Sequence, residues 1–212
     1  PHPSNLIKEE KKEIQTIIMS MGDREIVVGR QDKIGIIGRN GAGKSTFLKT
    51  ILSEIPALSG TIWIKEDLIV GSYSQVLSDL DLDSSVIDEL RQPHIREGEI
   101  RSMLGGLLIS GDKVDQQIST LSGGERAKVA LTKMLLTRPH VIVMDEPTNH
   151  LDLHSKNVIK SMLAGFDGVT MIVSHDRDLL ESISNMVWLI EDGQMQVFDD
   201  PEKGFAQVWG GG

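Results

Sequence analysis

Nine consecutive residues, Gly38-Arg39-Asn40-Gly41-Ala42-Gly43-Lys44-Ser45-Thr46, carry the densest chemistry in the chain. They match G-x-x-x-x-G-K-[ST], the pattern of a loop that wraps phosphates. Glycines let the backbone curl until successive N–H groups point inward, and a following helix adds positive potential at its N-terminus. Lys44 can reach the outer phosphates of a nucleotide, and the Ser45 hydroxyl can ligate Mg²⁺. An ordinary strand-to-helix turn has no need of Lys-Ser after Gly43.

Two further segments complement this loop. Val141-Ile142-Val143-Met144-Asp145-Glu146 is an apolar run ending in two carboxylates. Alone, that is a commonplace solvated strand end. In an open parallel sheet, however, ligands bind beyond the C-terminal ends of the strands, which brings both acids toward the phosphate loop. Asp145 can then hold Mg²⁺ through its water shell, and Glu146 can polarise an attacking water as general base. Leu121-Ser122-Gly123-Gly124-Glu125 offers a hydroxyl, two glycines open to close backbone approach and a helix starting near Glu125. Together these make an anion site, although Ser-Gly-Gly also serves as a plain capping turn.

The elements that must position these groups alternate between strand and helix. Ile14 to Met19 and Glu25 to Val28 flank Gly22-Asp23, which is turn chemistry for a hairpin. Ile34 to Ile37 is a short β-branched strand that feeds the phosphate loop. Phe47, Leu48, Ile51 and Leu52 then fall on one helical face. Val141 to Met144 and Val169 to Val173 read as buried strands, each leading into a helix. That alternation predicts an α/β fold with a mostly parallel core sheet covered on both faces. Residues 77–118 have few strand signals, and Val86 to Leu90 and Glu97 to Leu104 read as helices of an insertion. The α/β core is expected over 14–76 and 119–200, with 1–13 (including the charge run Lys8 to Glu13) and 201–212 as tails of one 1–212 domain. Gly210 to Gly212 reads as a flexible end.

Composition narrows the partners. A net charge of −9 lacks the basic excess of a general nucleic-acid binder. No stretch approaches the eighteen or so apolar residues of a membrane span, and the start shows no signal-peptide pattern. The absence of cysteine rules out disulfides and thiolate metal sites and suits a cytoplasmic location.

The order of these motifs resembles the ATP-binding cassette (ABC) family, over roughly residues 14–198. Gly38 to Thr46 matches its Walker A loop, Val141 to Glu146 its Walker B strand, and Leu121 to Glu125 its LSGGQ or LSGGE signature. The resemblance implies a P-loop NTPase fold with an N-terminal antiparallel β-subdomain and a helical insertion. ATP and Mg²⁺ are the implied cofactors. It assigns Gln75, in Tyr73-Ser74-Gln75, to Mg²⁺ and the attacking water, Asp152 to the D-loop, and His175 to sensing the γ-phosphate. It also implies that two cassettes stack head to tail. Each ATP then lies between Walker A of one and Ser122 to Glu125 of the other, so that binding closes the pair and hydrolysis opens it. The second cassette is either a copy of this chain or a tandem partner.

Asn149-His150-Leu151-Asp152 after Glu146-Pro147-Thr148, with Ser174-His175-Asp176-Arg177 and Ile109-Ser110-Gly111-Asp112, is most similar to the ABC-F branch. Those are tandem-cassette proteins without membrane spans, many acting on the ribosome as translation or antibiotic-resistance factors. By that likeness the chain is a single half, and the ribosome is its expected partner. The alternatives are a subunit coupling ATP hydrolysis to a membrane transporter, and an engineered fragment that only binds. The family's adenine-stacking aromatic is missing, since no aromatic precedes Phe47. Stacking of this kind is worth roughly 1–3 kcal/mol, so affinity is expected to fall about tenfold or more. The hairpin leading to Ile37 also looks one strand short.

Overall fold

The computed structural model describes residues 15–21, 24–149 and 151–210. Expectations for Lys8 to Glu13, Ile14, the Gly22-Asp23 turn, His150, Gly211 and Gly212 lie outside the described residues.

The strands are β1 (Gln15–Met21), β2 (Arg24–Gly29), β3 (Lys33–Ile37), β4 (Thr61–Ile64), β5 (Val70–Ser72), β6 (Val141–Asp145), β7 (Val169–Val173), β8 (Met186–Glu191) and β9 (Gln194–Phe198). The helices are α1 (Lys44–Ile51), α2 (Tyr73–Ser78), α3 (Val86–Leu90), α4 (Glu97–Gly106), α5 (Gly123–Leu136), α6 (Leu153–Gly165), α7 (Arg177–Ile183) and α8 (Pro201–Trp209).

The main sheet has six strands in the order β5-β6-β7-β3-β8-β9. It is parallel from β5 to β8, and β9 closes it antiparallel. All five residues of β7 are buried, as are four of five in β3 and β6. Strands covered on both faces read as continuous apolar runs, which is why these three were visible in the sequence. Successive side chains alternate between two core layers. Ile34, Ile36, Val141, Val143, Met171 and Trp188 pack with Leu48 and Ile51 of α1. Ile142, Met144, Ile172, Val187 and Leu189 pack toward α5, α6 and α7.

The β-subdomain is a three-stranded antiparallel sheet, β2-β1-β4. Here the structure corrects the expectation of a missing strand. The third strand comes after α1, with Ile18 paired to Trp63 and Met19 to Ile62. It also brings an indole into this sheet, at 37% exposure, which a search confined to residues before Phe47 passes over.

The helical insertion is not an isolated lobe. Val86, Leu90, Ile100, Leu104, Val114 and Ile118 are buried in the same cluster as Val129, Leu131 and Met134 of α5.

The supposed tail after residue 200 needs a second correction, because Pro201–Trp209 is a helix docked on β8. Asp200 caps it by accepting from the Glu202 amide at 3.2 Å, and Pro201 stands at its start. Phe205 is 5% exposed and stacks on Trp209 with ring centroids 4.8 Å apart. Gly204 lies so close to Val187 that a Cβ there would meet the valine side chain at 2.6 Å.

Candidate nucleotide site

The conformation of the turn between β3 and α1 is set by its glycines. Gly38, Gly41 and Gly43 have φ of 149°, 81° and 98°. At Gly38 the demand is also steric, since a Cβ would meet the Ile190 carbonyl oxygen at 2.2 Å. Gly43 is the left-handed N-cap of α1, and its carbonyl accepts from the Phe47 amide at 2.8 Å. The loop is thus fixed against the end of β8 while its concave side stays open.

Lys44 is 7% exposed, and its ammonium is satisfied locally. It donates to the carbonyls of Gly38 at 2.9 Å and Arg39 at 3.0 Å. A buried charge needs such partners, and incoming phosphate oxygens can replace these carbonyls.

The opposite wall comes from the ends of β6 and β7. Asp145 lies in register with Val173, and the Glu146 amide extends the pairing by donating to the Val173 carbonyl at 2.8 Å. Glu146 is held at φ 49°, an uncommon left-handed value for a residue with a side chain. That bend turns its carboxylate toward the end of β7, where Oε2 accepts from the His175 amide at 3.3 Å. Glu146 Oε1 lies 3.5 Å from His175 Nε2, is buried and has no hydrogen-bond partner.

Asn40, Gly41, Gly43, Lys44, Ser45, Thr46, Asp145, Glu146, Asn149, Val173 and His175 line one cleft of about 470 Å³. Nine of these were singled out from the sequence. Asn149 and Val173 were not, Asn149 having served only as a branch marker. Its position follows from the Glu146–Asn149 turn, in which the Asn149 amide donates to the Glu146 carbonyl at 3.2 Å.

Other expected site residues stand apart. Gly38 and Ala42 shape the loop without lining the cleft. Gln75 is exposed on α2, and it does not face this cleft. Asp152 caps α6, accepting from the Ser155 amide at 2.8 Å and hydroxyl at 2.9 Å. Those bonds, the amide's first, hold its carboxyl below the usual range.

Ser122 to Glu125 form the capped start of α5. Ser122 Oγ accepts from the Glu125 amide at 3.2 Å, and the Ser122 amide donates back to Glu125 Oε2 at 2.9 Å, a reciprocal capping box. Gly123 contributes to a neighbouring cleft of about 590 Å³ that meets the first at Asp145, Glu146 and Asn149. Neither Ser122 nor Glu125 lines either cleft.

The chain is similar to known proteins over most of its length. The family model described as ABC transporter matches residues 22–149. The chain is 36% identical over 211 residues to the probable ATP-binding protein YheS of Escherichia coli K12, covering 97% of this chain and 33% of that protein. It is 39% identical over 171 residues to the putative ATP-binding protein YdiF of Bacillus subtilis, covering 80% and 27%. With ABC transporter F family member 5 of Arabidopsis thaliana it shares 35% identity over 173 residues, covering 80% and 25%. The chain spans a third or less of the length of these relatives. No described helix is long and apolar enough to cross a membrane. The phosphate loop, the paired strand ends and these similarities together show that the chain belongs to the ATP-binding cassette family, as a cassette most like those of the F branch.

Proposed function

We propose that the chain is one cassette that binds and hydrolyses Mg-ATP, and that nucleotide clamps it head to tail onto a second cassette. The observation that carries this reading is the separation of two anion-binding halves. Lys44, Asp145 and His175 share one cleft, whereas Ser122 and the helix start it caps lie outside that cleft. A second cassette supplies the missing half. Gly123 supports the reading, because a Cβ there would meet nothing within 4 Å. Among the described residues no packing calls for glycine there, and the open space leaves room for close approach by a partner's phosphate.

Within the cleft the residues suit phosphoryl transfer. Lys44 and the loop amides would neutralise charge on the outer phosphates, and Ser45 and Asp145 would hold Mg²⁺. Among the described residues no cluster of three or more His, Cys, Asp or Glu forms a metal cage. A divalent ion here would therefore share its coordination with nucleotide oxygens. Bound Mg²⁺ supplies charge compensation at the phosphates. Glu146 would accept the proton of the attacking water, and His175, at its side, would contact the γ-phosphate. Gln75 would have to move with α2 to join them. Likeness to the F branch supports the ribosome as the partner of the full assembly.

Size-exclusion chromatography of Glu146→Gln with and without Mg-ATP tests the clamp. A dimer that forms only with nucleotide is expected, and a monomer under both conditions rules the clamp out. Co-sedimentation with ribosomes, against capture of a membrane protein, tests the partner.

A further inference from the structure

The carboxylate of Glu125 sits where an anion site can least tolerate it. Every helix begins with amides that lack intrahelical partners. In α5 the Glu125 amide is taken by Ser122 Oγ, which leaves those of Gly123 and Gly124. The dipole makes this end positive, and a bare carboxylate one turn inside would offset that potential. One oxygen, Oε2, is occupied by the Ser122 amide at 2.9 Å. The other, Oε1, receives the ammonium of Lys113.

Lys113 is held in place for this contact. It lies in the 3-10 turn Gly111–Asp115, ahead of the helix. Its neighbour Val114 is 2% exposed in the core, and Asp115 pairs with Arg101 at 3.4 Å. The Lys113 side chain is half exposed, at 50%. Exposed ion pairs add little to stability, so fold maintenance does not account for a lysine anchored here. The ammonium, ahead of the Ser122 amide and hydroxyl, draws the Glu125 carboxyl down to about 2, in keeping with a close ion pair.

The geometry points to Lys113 as a positioning residue for the signature loop: it neutralises Glu125 so that Ser122, Gly123 and Gly124 can receive the terminal phosphate of a nucleotide bound to a second cassette. This rests on the two-cassette reading above. Lys113 acts through Glu125 and need not touch the nucleotide.

The test uses the hydrolysis-blocked Glu146→Gln background and follows Mg-ATP-dependent dimerisation by analytical ultracentrifugation. Lys113→Met should weaken dimerisation about threefold per bound nucleotide, hence about tenfold for a pair holding two, the scale of one charge near a helix terminus. Mg-ATP affinity of the monomer, read by calorimetry, should not change, because Lys113 lies outside the cleft of Lys44. Lys113→Arg should dimerise like the parent. The double variant Lys113→Met, Glu125→Gln should recover most of the loss, since the unpaired charge is gone. A purely structural link predicts otherwise: the double variant would be no better than Lys113→Met alone. That outcome, or parental dimerisation of Lys113→Met, overturns the proposal. Absence of any nucleotide-dependent dimer in the background itself overturns the clamp and the proposal with it.

Discussion

Glu146 and His175 meet across adjacent strand ends, with Glu146 Oε1 3.5 Å from His175 Nε2 and Oε2 accepting from the His175 amide. The contact depends on the left-handed backbone at Glu146 and on the register that sets Asp145 opposite Val173. Glu146→Gln keeps the shape and removes the proposed base. Phosphate release should fall by about 10²–10⁴-fold, the usual worth of general-base catalysis, while calorimetry still detects Mg-ATP binding. Turnover at the parental rate would remove Glu146 from that role.

Gly38→Ala should damage both fold and site. Its φ is 149°, and the added Cβ would run into the Ile190 carbonyl oxygen. A backbone shift is unavoidable, so a loss of more than ~1 kcal/mol is expected in urea denaturation, together with weaker Mg-ATP binding.

Gly123→Ala separates folding from association. The site is open and lies at the helix start, so denaturation should show no loss. Nucleotide-dependent dimerisation should nevertheless weaken. A variant that pairs as well as the parent would show that no close approach occurs there.

The Glu125 carboxyl makes acid stability sensitive to Lys113. Its folded value, about 2, lies below the ordinary 4.5. Its stabilisation is therefore complete above 4.5 and is lost as pH falls from there toward 2. For so exposed a pair the amount is under ~1 kcal/mol. Comparing denaturation midpoints at pH 5 and pH 2.5, Lys113→Met should lose less than the parent does over the same interval.

Phe205→Ala tests whether α8 belongs to the body of the cassette. Phe205 is buried against β8 and stacked on Trp209, so truncation should cost about 3–5 kcal/mol. A loss near zero would return this segment to the status of a tail.

How much of this was legible in the sequence depended on what each element must bury. β3, β6 and β7 are mostly apolar because helices and the small sheet cover both faces, and they were readable. β4 was missed because it is short and half exposed, and because its partner β1 precedes it by more than forty residues. β8 and β9 carried a signal that went unused: Asp192-Gly193 between apolar runs, with φ of 49° and 72°, is a tight hairpin turn. One wall of the candidate cleft was readable because Gly38 to Thr46 is local. The contact of Glu146 with His175 was not, since it depends on strand register. Lys113 escaped notice for a similar reason, because it reaches Glu125 through folding of the insertion rather than through any motif.

That Lys44 lines the cleft while Ser122 lies outside it has a consequence for mixed populations. In the proposed pair, each composite site draws its lysine from one chain and its serine from the other. A chain damaged only at Lys44 and a chain damaged only at Ser122, each inactive by itself, would rebuild one intact site when combined. Such complementation in trans would leave the other site doubly impaired, and at most half of the sites would recover.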